Sequence, residues 1–412
     1  MLIYIILALT FGYSMIVAET SIGRMTGKSP VGAFHSFGKA KWLSFGGWIN
    51  AIIPILIVPY YSVIGGWVIK YLFEYMTGHA GTVAADGYFS SFISSGAATE
   101  ICFLIFVFIT LAIIFAGVRN GIERVSKFMM PVLVVLSVVI AVYSVSRPGA
   151  MAGVKYFLIP NVENFSWMTV VSAMGQMFYS LSIAMGILIT FGSYMKKDVS
   201  IEDSTKNVEI FDTAIAIMAG LMIIPAVIAF NGGDPSQVNS GPGLMFITLP
   251  MVFDSMKFGT IIGAVFFLLV LFAALTSSIS LMETLVSVLM DKAHMKRKTA
   301  TIAITASCLI IGMLSCLGYG PWATITVIGM QFLDFFDFIS NSVLMPIVAL
   351  LTCILIGHVV GAKVIADEVK EGAGSFHREK LHRVMVRWVA PVMLAAILAS
   401  ELATKVFHLF TI

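Results

Sequence analysis

The chain has 412 residues, of which 59% are hydrophobic and 11% charged, and its mean hydropathy is +0.97. This composition excludes an ordinary soluble globule and predicts an all-α polytopic membrane protein. The net charge of +3 gives no footing for nucleic acid, because the basic residues fall in short loops.

Taken in chain order, windows of about 19 residues place ten spanning segments. They lie at about 2–22, 43–76, 100–117, 128–146, 168–195, 208–230, 259–290, 299–317, 331–357 and 385–408. The stretch from Gly241 to Met256 is shorter and broken by Pro242 and Pro250, and is expected to fold back over one face instead of spanning. Cys102, Cys308, Cys316 and Cys353 are dispersed in apolar stretches with no C-x-x-C pair, so they read as packing residues. No pair of histidines one helical turn apart encloses a carboxylate, which leaves a zinc site without support. No phosphate-binding loop of the P-loop kind is present, which argues against ATP as the energy source within this chain.

Orientation follows from the loops. With the loop after the first segment placed in the cytoplasm, 20 of the 25 lysines and arginines lie inside, among them Arg24, Arg124, Lys197, Arg297 and Arg378. Lys70, Arg147, Lys155, Lys257 and Lys405 stay outside, a fourfold asymmetry that orients the protein in the membrane.

The fifth segment differs in kind. Its centre, Gly175-Gln-Met-Phe-Tyr-Ser-Leu-Ser-Ile-Ala-Met-Gly186, carries polar residues between two glycines, which weakens a helix at the bilayer midplane. A helix interrupted there frees carbonyls and amides, and such groups persist in a membrane only where they line a cavity or bind something. The seventh segment carries Thr276, Ser277 and Ser278, hydroxyls that either bond to the carbonyl one turn back or offer uncharged oxygen ligands to a hard cation. Asp212 opens the sixth apolar run, as a solvated helix-end carboxylate or as a functional one.

Five motifs together resemble the neurotransmitter:sodium symporter family, and within it the bacterial amino-acid transporters with eleven helices. They are Glu19-Thr-Ser-Ile-Gly-Arg24, Tyr60-Tyr61, Phe178-Tyr-Ser-Leu-Ser-Ile-Ala-Met-Gly186, Ala273-Ala-Leu-Thr-Ser-Ser278 and Phe332-Leu-Asp-Phe-Phe-Asp337. Gly241-Pro-Gly-Leu-Met-Phe-Ile-Thr-Leu-Pro250 is also similar to the family's extracellular hairpin.

The resemblance implies a fold of two inverted five-helix repeats whose first and sixth helices are broken and form the central site together. Ten of the expected eleven helices are present. The remainder of the first repeat would occupy 1–146, the second repeat 168–357 and the final helix 385–408 of a single transporter domain. Met1 opens directly on apolar sequence with no charged flank, and nothing matches the family's first broken helix. The expectation is therefore a chain that lacks that helix, through truncation or a start codon assigned too far downstream, and that is inactive or unstable as it stands.

For the site, the resemblance implies sodium ligands from the Ala273 carbonyl, Thr276, Ser277, Ser180 and Asp212. Asp212 stands where the family commonly has asparagine, beside Tyr4, Gln176 and Ser180 at positions that hold chloride in many animal members. A carboxylate there supplies the negative charge that chloride otherwise provides, so chloride-independent transport is expected.

The implied substrate contacts are Tyr61, Tyr179, Ser182, Met185 and Leu281, a mostly apolar set that favours a small neutral hydrophobic amino acid. Gln176 and Asp337 are implied for the outer gate and Tyr194 and Asp291 for the inner one. Asp334 lies on the Asp337 face as a possible solvated neighbour, while Glu283 either lines the inner exit or bonds to an adjacent helix. The functional expectation is a sodium-coupled symporter working by alternating access, in contact with its substrate and the lipid bilayer. The alternatives are a proton-coupled transporter of the same architecture, with Asp212 or Glu283 titrating, and an inactive fragment. The sequence carries no signal for an oligomeric state.

Overall fold

The computed structural model describes residues 1–38, 40–161, 165–234 and 241–405. Among the described residues nine helices are long and apolar enough to cross a bilayer, and a broken pair makes the tenth crossing. In order they are α1 (Leu2–Thr26), α2 (Lys41–Met76), α3 (Gly96–Phe115), α4 (Val118–Val145), the broken pair α5 (Trp167–Ser180) and α6 (Ile187–Tyr194), and α7 (Ile201–Phe230). They continue with α8 (Gly259–Lys292), α9 (Arg297–Gly318), α10 (Phe332–Val360), a short cytoplasmic helix α11 (Ala362–Ala373) and α12 (Glu379–Ala403). Residues 406–408 of the predicted last span lie outside the described residues.

Every predicted span coincides with one of these crossings, but several helices outrun their apolar windows. α4 starts at Val118 and α7 at Ile201, ahead of the predicted 128 and 208. Hydropathy locates the lipid-buried part of a helix, whereas its backbone hydrogen bonds continue into water wherever charged residues such as Arg124 and Lys127 are solvated.

The outer faces of α3, α4 and α9 expose Ile101, Phe108, Val142 and Ile310 at 52–70% of their surface. Such a belt is stable only against lipid. The cysteines are all buried and unpaired, as packing residues should be.

The predicted fold-back at Gly241–Asp254 is a single short helix packed on α8, too short to span. Aromatic contacts seat it. Phe246 stacks on Phe89 at 5.3 Å and meets Trp67 and Tyr71 edge-on, and the Tyr71 hydroxyl donates to its carbonyl at 2.8 Å.

At the cytoplasmic end α6 lies backbone to backbone against α1. A Cβ on Gly23 would stand 2.1 Å from the Ile189 carbonyl oxygen, and one on Gly192 would stand 2.4 Å from that of Thr20. Backbone cannot yield as a side-chain tip can. Gly23→Ala is therefore expected to lower stability by about 1–3 kcal/mol or more, read as a drop in the unfolding midpoint in detergent; an unchanged midpoint would show that the two helices are not locked in this approach.

Candidate functional site

The interruption predicted within Gly175–Gly186 falls at Leu181–Gly186. Gly175 itself is helical, and α5 continues to Ser180. Ser182, Ala184 and Gly186 then take φ of 55°, 61° and 71°, left-handed values that end the helical path before α6 starts. Two non-glycine residues in that region mark stored strain, which persists where surrounding contacts over-determine it.

Glu19 of α1 supplies one such contact. It is fully buried, and its Oε1 accepts the Ala184 amide at 2.9 Å. A carboxylate on the freed amides of a helix break satisfies groups that lipid could not.

Asp212 of α7 ties α1 to the end of α5. Its Oδ1 accepts the Ser180 hydroxyl at 2.5 Å and its Oδ2 the Tyr4 hydroxyl at 2.6 Å. The carboxylate therefore sits at the end of α5, bound on both oxygens by neutral donors, and no arginine or lysine neutralises it among the described ion pairs. Gln176 does not join it; this side chain is exposed one turn earlier and lines a cavity of about 420 Å³ together with Tyr179, Asp337 and Asn341.

At that cavity the Tyr60 hydroxyl bridges the Tyr179 hydroxyl at 3.1 Å and Asp337 Oδ1 at 2.9 Å. Asp337 also accepts from Asn341 at 2.5 Å. Tyr61, the residue named from sequence, packs toward Phe106, Met129 and Ala274, with its hydroxyl facing Ser277. Neighbouring residues on a helix point about 100° apart, so the two tyrosines take different partners. Both were visible in sequence; the Tyr60 bonds to Tyr179 and Asp337 were not.

The hydroxyls of α8 lie on one stretch. Thr276 Oγ1 donates to the carbonyls of Phe272 at 3.1 Å and Ala273 at 2.9 Å, Ser277 is exposed, and Ser278 is fully buried with its Oγ unpartnered. Donation to a carbonyl uses the Thr276 proton and leaves its oxygen lone pairs free for a hard cation. Met185 and Leu281 are buried in the main apolar core, and Ser182 lies half-buried in the break.

The two inner-gate residues have separate partners. Asp291 Oδ2 accepts from Ser29 at 2.6 Å, while the Tyr194 hydroxyl donates to Glu283 Oε1 at 2.8 Å. Glu283 is completely buried and bidentate with Arg297 of α9, at 2.9 and 2.5 Å, so it bonds to an adjacent helix. Asp334 is exposed and accepts from Tyr319. Arg297 had counted from sequence only as an inside charge, since nothing local pairs it with a carboxylate 14 residues back.

The model of the sodium:neurotransmitter symporter family matches residues 87–409. The chain belongs to this family. An uncharacterized sodium-dependent transporter YhdH of Bacillus subtilis is 31% identical over 91% of this chain and 83% of its own length. An uncharacterized sodium-dependent transporter of Haemophilus influenzae is 30% identical over 97% and 90%. Among solved structures, MhsT in complex with L-phenylalanine superposes with a TM-score of 0.88 at 34% identity, covering 97% of this chain and 90% of that one. The symporter is accordingly a multi-pass transporter of the cell membrane and not an enzyme, with the all-α fold of this family and sodium as its coupling ion. Its broken pair α5–α6 and the carboxylate at Asp212 stand in a protein whose relatives are named for sodium dependence.

Proposed function

We propose that this symporter imports a small neutral hydrophobic amino acid together with sodium, by alternating access and without chloride. The observation that carries the reading is Asp212, a carboxylate bound among the described residues by the hydroxyls of Tyr4 and Ser180 at the end of a broken helix. A fixed negative charge held by neutral donors attracts a small hard cation and repels chloride. Ser180 and Asp212 would contribute to one sodium position, and the Ala273 carbonyl with Thr276 and Ser277 to a second, on α8.

The substrate's carboxylate would meet the positive N-terminal end of α6, where the first amides of a helix have no carbonyl of their own. Tyr179 and Ser182 border that position from the break, Met185 and Leu281 offer apolar surface for a side chain, and Tyr61 faces Ser277 beside the second ion position. The complex of MhsT with L-phenylalanine supports the same substrate class. Gln176 and Asp337 on the outer cavity and Tyr194 and Asp291 at the cytoplasmic end would act as gates, within a single domain of repeats at 1–146 and 168–357 and a final helix from 385.

The test is uptake of labelled neutral amino acids into proteoliposomes under an inward sodium gradient at fixed pH. Uptake that follows sodium and is undiminished when gluconate replaces chloride is the expected result; a several-fold loss in gluconate would overturn chloride independence. Uptake that follows a pH gradient and ignores sodium would favour proton coupling through Asp212 or Glu283.

A further inference from the structure

The cytoplasmic helix α11 is tied to the inner half of the broken helix by a buried cluster of charges. Glu368 of α11 is 8% exposed, and its Oε1 accepts from Arg24 Nε at 2.7 Å. Arg24 closes α1, is 4% exposed, and uses its other two nitrogens on the carbonyls of Glu368 and, at 2.6 Å, of Val199. Lys197, in the segment that follows α6, reaches Glu368 Oε2 at 2.7 Å and Glu371 at 2.9 Å.

Beneath the charges, Ile365, Ala366 and Val369 are buried at 0–1%, the apolar stripe of an amphipathic helix. A Cβ on Gly372 would stand 2.4 Å from the Val199 carbonyl oxygen, so α11 touches that segment backbone to backbone. At its far end Lys370 pairs with Glu379 at the start of α12, at 2.8 Å. The Lys197 ammonium holds the Glu371 carboxyl below the usual carboxylate range, which keeps this edge of the cluster ionised at neutral pH.

A surface loop need not bury a guanidinium and a carboxylate, and doing so carries a desolvation cost that several simultaneous hydrogen bonds must offset. Here three side chains, Arg24, Glu368 and Glu371, converge on one object, the segment directly after α6. α6 is already backbone to backbone with α1 through Gly23 and Gly192. The one side-chain tie from the α6 terminus to the opposite wall is the Tyr194 bond to Glu283 on α8, among the described hydrogen bonds.

We infer that Glu368, Arg24 and Lys197 are positioning residues for transport: they fasten α6 to α1 and α11 as one swinging unit and so hold the cytoplasmic side closed. Opening then moves α11 with α6 and breaks the Tyr194 contact, instead of bending α6 away alone. Weakening the cluster frees α6 to leave α8 more often. The inference rests on the reading of the α5–α6 break as the transport site.

The experiment places a cysteine at Ser287, which is buried on α8 beside Tyr194, in the full chain with its four buried native cysteines retained. Inside-out vesicles are treated with a membrane-impermeant maleimide and the labelling rate is measured. Lys197→Ala in this background is expected to label about threefold faster, as suits a half-exposed pair, and Glu368→Gln about tenfold or more. Lys197→Arg should return the rate to that of the Ser287→Cys parent.

The unfolding midpoint of Lys197→Ala should stay that of the parent, which separates positioning from general loosening. Rates equal to the parent in both Lys197→Ala and Glu368→Gln overturn the proposal, as does acceleration accompanied by a matching fall in the Lys197→Ala midpoint. Should Glu368→Gln fail to fold, Lys197→Ala and Lys197→Arg decide the question by themselves. Replacing potassium with sodium is an independent arm: labelling indifferent to sodium in every variant sinks the transport reading, while the comparison between variants still decides the latch.

Discussion

Asp212→Asn is expected to cut sodium-driven uptake in chloride-free medium by about a hundredfold, and chloride is expected to restore part of it. The substitution keeps the size of the side chain and an oxygen for one of its two donors, so the Tyr4 and Ser180 hydroxyls remain where they are. What it removes is the fixed negative charge. Cations held near the end of α5 then lack compensation in a site of low dielectric, and the deficit is of the size found when one partner of a buried charge pair is deleted. A mobile anion can replace the missing charge where a hydroxyl pair is already aimed at the position. The measurement is initial uptake in proteoliposomes with chloride or gluconate on both sides. Uptake by Asp212→Asn equal to the parent in gluconate would remove Asp212 from the ion site.

The second large effect belongs to Glu283. Arg297→Met should destabilise the protein by about 3–5 kcal/mol, because it leaves a fully buried carboxylate with a tyrosine as its remaining partner. The double variant Arg297→Met with Glu283→Met should recover most of that loss, since removing both charges also removes their desolvation cost. Unfolding midpoints in detergent for the two single variants and the double variant close the cycle. If the double variant is as unstable as Arg297→Met alone, the bidentate pair at 2.5 and 2.9 Å does not hold α8 to α9 in the way described. The same variants report on function independently: each breaks the Tyr194 contact or its support, so cytoplasmic accessibility should rise where folding is intact.

These two carboxylates show how far a sequence can be read. Both were singled out as intramembrane acids, because an ionisable residue in an apolar run is costly and needs a reason to be there. Their partners were of two kinds. Ser180 and Tyr4 had been placed beside Asp212 by the family pattern, whereas Arg297 entered only as one of many inside charges. Glu19 was quoted as part of a motif, and its hold on the Ala184 amide emerged only once α1 was laid against the break.

By itself the sequence determined what depends on local composition and period. Twenty-residue apolar windows marked the spans, loop charge set the orientation, and the glycines, serines and tyrosine between Gly175 and Gly186 located the interrupted crossing. The tertiary structure decided what depends on rotation about helix axes and on contacts between distant segments. It bonded Tyr60 to Tyr179 and Asp337, joined Tyr4 to Asp212 across 208 residues, and set Arg24 against Glu368 across 344. In an almost uniformly apolar helix the hydrophobic pattern barely distinguishes one face from another, because lipid and protein interior are equally apolar. The facing is fixed instead by close backbone approaches such as Gly23 on Ile189 and by the few buried polar groups that must find partners.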